Sequence, residues 1–188
     1  MSSIFDLVRD VPDFPCPGVL FKDITPLLAN AQAFDQCIDQ LCAPWRGQGI
    51  GALCGIESRG FIFGAAMARA LGAGFVALRK KGKLPPPVVG VDYGLEYGKD
   101  RLEIGQHTLS KGERVIIVDD VLAPGGTLYA GRRLVAQFGA EVAGASVVIE
   151  RAALTGPARW LGPPPLHPLA AYRVRASPPT NPLPARPP

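Results

Sequence analysis

Residues 114–127 read RVIIVDDVLAPGGT, and the reading of this stretch decides the fold. Val115, Ile116, Ile117 and Val118 make a short unbroken apolar run, the pattern of a strand buried on both faces of a parallel sheet. Two carboxylates, Asp119 and Asp120, stand where that run ends, and a turn of small residues follows through Ala123, Pro124, Gly125, Gly126 and Thr127. An amphipathic helical pattern then continues to Phe138, with Leu128, Leu134, Val135 and Phe138 inward. Backbone N–H groups of such a turn, with the positive end of the helix behind them, can hold a phosphate. The carboxylates can accept hydrogen bonds from sugar hydroxyls, directly or through hydrated Mg²⁺. Together these parts describe a sugar-phosphate site. The plainer alternative is an ordinary βα unit whose acids cap the turn.

Two other phosphate-binding plans are excluded. No Gly-Lys-Ser/Thr follows the strand, so no lysine is placed as in a Walker loop, and the glycine spacing of a dinucleotide fold is missing. Upstream, residues 50–56 (IGALCGI) form a second buried strand that delivers Glu57-Ser58-Arg59-Gly60 to its carboxyl end, where open α/β sheets bind ligands. The helix after it is expected to turn Phe61, Ala65, Ala68 and Leu71 inward and to stop at Gly72, with Gly60 and Gly64 allowing close approach to neighbours. Residues 74–78 form the next strand, ending at the basic cluster Arg79-Lys80-Lys81-Gly82-Lys83. Residues 88–103 alternate around Tyr93, Gly94, Tyr97 and Gly98, which predicts a hairpin outside the main sheet, a flap over about 82–106. Residues 142–149 are another apolar strand and residues 169–174 an edge strand. The order implies an α/β fold, an open, mostly parallel twisted sheet with helices on both faces.

The N-terminal part is less regular. A short helix is expected over residues 3–8, then an extended stretch held by Pro12, Pro15 and Pro17, and a turn at Gly18. Pro26 opens a single helical turn with Thr25 as its cap, and Asn30 caps a longer helix over Ala31–Cys42 that buries Phe34, Ile38 and Leu41.

A chain of 188 residues, 47% hydrophobic and 19% charged, suits one globular domain, placed at 1–176. Eleven of the 20 prolines lie at or beyond Pro157, so residues 177–188 are expected to be an extended or disordered tail. Cys16, Cys37, Cys42 and Cys54 have neither metal-ligand spacing nor disulfide density, and read as buried or idle thiols. No membrane-length apolar run and no leader pattern occur, so a cytoplasmic protein without a membrane partner is expected. The net charge of +4 is modest, and one short basic cluster without interleaved aromatics argues against a nucleic-acid partner.

The turn with its acid pair resembles the 5-phosphoribosyl pyrophosphate (PRPP) fingerprint of the type I phosphoribosyltransferases. Three further stretches narrow the likeness: PDFPCPGVLFKDITPLL (12–28), GIESRGFIFGAAMA (55–68), and RKKGKLP (79–85) with YGLEYGKDRLEI (93–104). With VIIVDDVLAPGGT they resemble the adenine phosphoribosyltransferase family in order and spacing, over roughly residues 5–150. The resemblance implies transfer of the phosphoribosyl group of PRPP to adenine with Mg²⁺, giving AMP and pyrophosphate. It implies that Asp119, Asp120, Ala123, Pro124, Gly125, Gly126 and Thr127 bind PRPP, with Mg²⁺ at Asp119 and Asp120 through water. Arg59 would contact the pyrophosphate and act in catalysis. Arg79 and Lys83 would reach it in part from a neighbouring subunit, which implies a homodimer. Leu20, Phe21 and Lys22 would receive the adenine, Phe21 by stacking, and Glu96 on the flap would handle the purine proton, with Tyr97 in the lid. Three positions depart from the family: Pro124 where Thr is usual, Pro86 where Gly is common, and the proline-rich end. A transferase for another base, such as xanthine, and a catalytically silent PRPP- or nucleotide-binding regulator are the alternatives.

Overall fold

A computed structural model describes residues 4–94, 99–122, 126–151, 160 and 163–172. A 3₁₀ turn over Ile4–Leu7 takes the place of the expected first helix. Strand β1 (Arg9–Val11) pairs antiparallel with β2 (Phe21–Asp23), forming a small hood. Its register sets Arg9 opposite Asp23 and Asp10 opposite Lys22, and both pairs form cross-strand ion pairs. Helices α1 (Thr25–Ala29) and α2 (Ala31–Cys42) follow. Asn30 caps α2 as expected, its side chain accepting from Ala33 N–H at 3.0 Å. Thr25 does not cap α1; it is the first helical residue, and the Asp23 carboxylate accepts its N–H at 2.9 Å. Hydrogen bonds from Thr25 hold Asp23 down to about 2.

The main sheet has the order β5-β6-β4-β3-β7-β8-β9. Its centre is β3 (Ala52–Ile56), parallel to β4 (Gly74–Lys80) on one side and to β7 (Arg114–Leu122) on the other. β8 (Glu141–Arg151) and the edge strand β9 (Leu166–Tyr172) extend it in parallel. Helix α3 (Arg59–Leu71) connects β3 to β4, and α4 (Thr127–Ala136) connects β7 to β8. Alternate side chains of β3 and β7 feed two cores. Leu53, Ile116 and Val118 pack with α2 and α3, whereas Cys54, Val115 and Ile117 pack with α4. Burial pushes the Cys37 and Cys54 thiols up to about 12, and Cys16 is exposed.

Two expectations are corrected. The hairpin β5 (Val88–Gly94) and β6 (Lys99–Gly105) is not outside the main sheet. β4 runs beyond its pairing with β3, and its free edge at Arg79 and Lys80 pairs with Glu103 and Leu102 of β6. Val91, Tyr93, Leu102 and Ile104 are buried in the core that also holds α4. The inner face of α3 is Gly60, Phe63, Gly64, Met67 and Ala68, and Ala65 is exposed. Of the residues expected inward, Ala68 is buried and Leu71 packs against the core, so the phase read from the sequence holds at these two and fails at Ala65. Gly60 and Gly64 set the observed phase, because a Cβ on Gly60 would stand 2.7 Å from the Val118 carbonyl oxygen, and one on Gly64 2.9 Å from the Phe75 ring. The expected tail, 177–188, lies outside the described residues.

Candidate active site

α3 leaves the end of β3 towards one face of the sheet, and α4 leaves the end of β7 towards the other. Between the carboxyl ends of these adjacent strands the connections diverge, which opens a crevice. A cavity of about 280 Å³ occupies it. The hood closes one side with Val19, Leu20, Phe21 and Lys22. Glu57, Ser58 and Arg59 come from the β3–α3 junction, Asp119 and Asp120 from β7, Thr127 and Leu128 from α4, and Lys80 from the end of β4.

Both helix N-termini at this crevice are left open. Neither Ser58 before α3 nor Gly126 before α4 makes a side-chain capping hydrogen bond, and neither first turn carries an acid. Gly126 takes φ 68°, the left-handed conformation that glycine adopts without strain. Two helix N-termini without side-chain caps, each with the positive end of its helix dipole, therefore converge on one cavity, an arrangement suited to a ligand with two anionic groups.

Arg59 links the parts. Its Nε lies 2.8 Å from Asp120 Oδ2, an ion pair without the alignment of a hydrogen bond. Its Nη1 donates to the Lys22 carbonyl at 3.4 Å, and its guanidinium carbon sits 5.0 Å from the centre of the Phe21 ring. Phe14 meets Phe21 edge-on at 5.1 Å. Lys22 is buried and pairs with Asp10. Burial, joined by the charge of Asp120, raises Asp119 well above the ordinary carboxylate value, and burial raises Asp120 against the lowering pull of Arg59. Such a pair favours any ligand that brings positive charge or hydrogen-bond donors.

Of the residues singled out in the sequence, the cavity gathers Leu20, Phe21, Lys22, Arg59, Asp119, Asp120 and Thr127, with Gly126 adjoining. Arg79 and Lys83 do not line it. Arg79 Nη2 donates to Glu57 at 2.9 Å, and its Nη1 donates to the Lys83 carbonyl at 2.8 Å. Lys83 is exposed, and Glu103 accepts the Gly82 N–H at 2.9 Å, tethering the same loop. Ala123, Pro124, Gly125, Glu96 and Tyr97 lie outside the described residues. Lys80 was missed. The basic cluster is visible in the sequence, but which of its members faces the cavity depends on the last pleat of β4, a strand whose apolar pattern ends at residue 78.

The comparisons with known proteins agree with this geometry. Residues 25–160 match the phosphoribosyl transferase domain family. The chain is 50% identical over 165 residues to an adenine phosphoribosyltransferase of Xanthomonas campestris pv. campestris (strain B100), covering 88% of this chain and 89% of that protein. It superposes on the crystal structure of adenine phosphoribosyltransferase from Rhodothermus marinus DSM 4252 with a TM-score of 0.85 and 44% identity, over 90% of this chain and 96% of that one. The Saccharomyces cerevisiae enzyme, complexed with D-2,5-dideoxy-2,5-imino-altritol 1,6-bisphosphate and adenine, gives a TM-score of 0.75 and 38% identity, covering 78% and 86%. The chain belongs to the adenine phosphoribosyltransferases, the pentosyltransferases of purine salvage that form AMP from adenine and PRPP.

Proposed function

We propose that the crevice between β3 and β7 holds PRPP under the hood, with its 5-phosphate at the N-terminus of α4 and its pyrophosphate at that of α3. The observation that carries this reading is the convergence of two uncapped helix N-termini and two carboxylates on one cavity. In it, Gly126 and Thr127, continued by Ala123 and Gly125, give N–H donors to the 5-phosphate, Thr127 adds a hydroxyl, and Pro124, which has no N–H, belongs to the same PRPP-binding loop without donating. Asp119 and Asp120 accept the ribose hydroxyls. Arg59 forks onto the pyrophosphate, and neutralising this leaving group lowers the barrier to breaking the C1′–O bond. Phe21 stacks on adenine, while the backbone beside Leu20 and Phe21 reads its edge; Lys22 supports the hood through Asp10. Glu96 takes the purine proton, a role that typically contributes ~10²–10⁴-fold in rate.

Mg²⁺ fits this donor set. Among the described residues no group of three or more His, Cys, Asp or Glu is arranged to hold a metal. Two adjacent carboxylates with hard oxygens suit an ion that keeps most of its waters and takes the rest of its ligands from substrate. When bound, it would neutralise pyrophosphate charge.

The homodimer is part of the same reading. Ile62 and Phe75 are 41% and 38% exposed, Phe75 meets Phe61 edge-on at 5.6 Å, and the Arg79 guanidinium lies 6.0 Å from the Phe61 ring. This apolar face beside Arg79 and Lys83 would dock a second copy and carry these residues towards its site. A cytoplasmic location belongs to the same reading.

Calorimetric titration with PRPP and Mg²⁺ tests the assignment. The double variant Asp119→Asn/Asp120→Asn should stay folded and bind PRPP at least tenfold more weakly. Unchanged affinity would remove the acids from the site.

A further inference from the structure

Lys80 ends β4, and its ammonium does not hang free at the cavity wall. It donates to Asp100 Oδ2 and to the Tyr93 hydroxyl, both from the β5–β6 hairpin. Tyr93 and Asp100 face each other across the hairpin, and the tyrosine hydroxyl donates to the same Asp100 oxygen at 3.1 Å. The Tyr93 ring, 8% exposed, lies 5.1 Å from the ammonium. The Lys80 N–H donates to Glu57 Oε2 at 2.8 Å, so its backbone is fixed as well.

We propose that Asp100 and Tyr93 are positioning residues for PRPP, holding the Lys80 ammonium at the pyrophosphate end of the cavity. The inference rests on reading the crevice as the PRPP site. An ammonium has three donors, and two are occupied by the hairpin, which leaves one for an anion beside Ser58 and Arg59. A free lysine loses much rotamer freedom when it binds a phosphate, whereas one already pinned loses little. Asp100 offsets part of the charge, but Tyr93 shares that carboxylate, and Lys80 and Asp100 are 36% and 27% exposed, so water screens the offset. Orientation is therefore the larger effect.

A double-mutant cycle on the full-length enzyme tests this, with KM for PRPP and for adenine as separate readouts. Lys80→Ala should raise KM for PRPP roughly ten- to hundredfold, the scale of one charge-assisted hydrogen bond. Asp100→Ala should raise it about three- to tenfold and leave KM for adenine unchanged, and Asp100→Asn, which keeps an acceptor, should recover most of the loss. Adding Asp100→Ala to Lys80→Ala should cost nothing further. The inference is overturned if Asp100→Ala leaves KM for PRPP unchanged, if its effect persists undiminished in the Lys80→Ala background, or if both substrates weaken together. An unaltered KM for PRPP in Lys80→Ala overturns it too. In that case PRPP binding by the parent, and its loss in the Asp119→Asn/Asp120→Asn variant, tell whether the site reading itself has fallen.

Discussion

At the scale of single residues, the role proposed for Asp119 stands against the stability of the fold. Burial and the neighbouring Asp120 charge raise its proton affinity above the ordinary value of 3.8, so the folded chain binds more protons than the unfolded one. Stability contributed by the protonated form is therefore lost as pH rises from about 3.8 through the raised value. Asp119→Asn should remove that loss, raising Tm at pH 7 by about 2–4 °C, equivalent to ~1 kcal/mol in a chain of this size. Its melting temperature should also vary less with pH than that of the parent, while turnover collapses. A variant less stable at neutral pH would show that the carboxylate is already well compensated. That Arg59, Asp119, Asp120 and Thr127 meet at one cavity was legible in the sequence, because they are local features attached to strand ends. Lys80 was not legible in the same way. Neighbours in a strand point to opposite faces, and a strand taken to be two residues too short leaves Arg79 and Lys80 indistinguishable.

At the scale of elements, the crevice depends on how closely α3 sits against β7. The Val118 carbonyl and the Asp119 backbone leave no room for a side chain at position 60. Gly60→Ala forces the first turn of α3 outward, and because the obstructing atoms are backbone the strain cannot be relieved by a rotamer change. A destabilisation of ~1–3 kcal/mol is expected. The loss in kcat/KM should exceed what the unfolded fraction explains, since the shift moves Arg59 away from Asp120. Melting curves and kinetics on the same preparation check this; an alanine variant of normal stability and activity would contradict it. The buried parallel strands and their helices were readable from periodicity. The hood was not, because three-residue strands such as Arg9–Val11 have no pattern, and what joins them is a pair of cross-strand ion pairs between positions 12 and 14 residues apart. The hairpin was recognised as a hairpin, but its pairing to β4 is set by the difference in length between β4 and β3, a property of neither segment alone.

For the whole molecule, Arg79 and Lys83 lie away from the cavity, so the roles proposed for them need a second copy. If these residues serve a partner's site, mixing Lys83→Ala with Asp119→Asn/Asp120→Asn should restore activity that neither variant has alone. Random exchange into dimers would give about a quarter of the parental activity, from mixed dimers with one intact site. Sedimentation under assay conditions should find a dimer, and full activity in a monomer would exclude the shared site. The family's reaction is the claim on which all of this rests, and turnover with a panel of bases tests it most directly. With PRPP and Mg²⁺ present, adenine should be converted to AMP with stoichiometric pyrophosphate, while xanthine, hypoxanthine and guanine give no nucleotide. Preference for another base, or PRPP binding without turnover of adenine, would contradict the account.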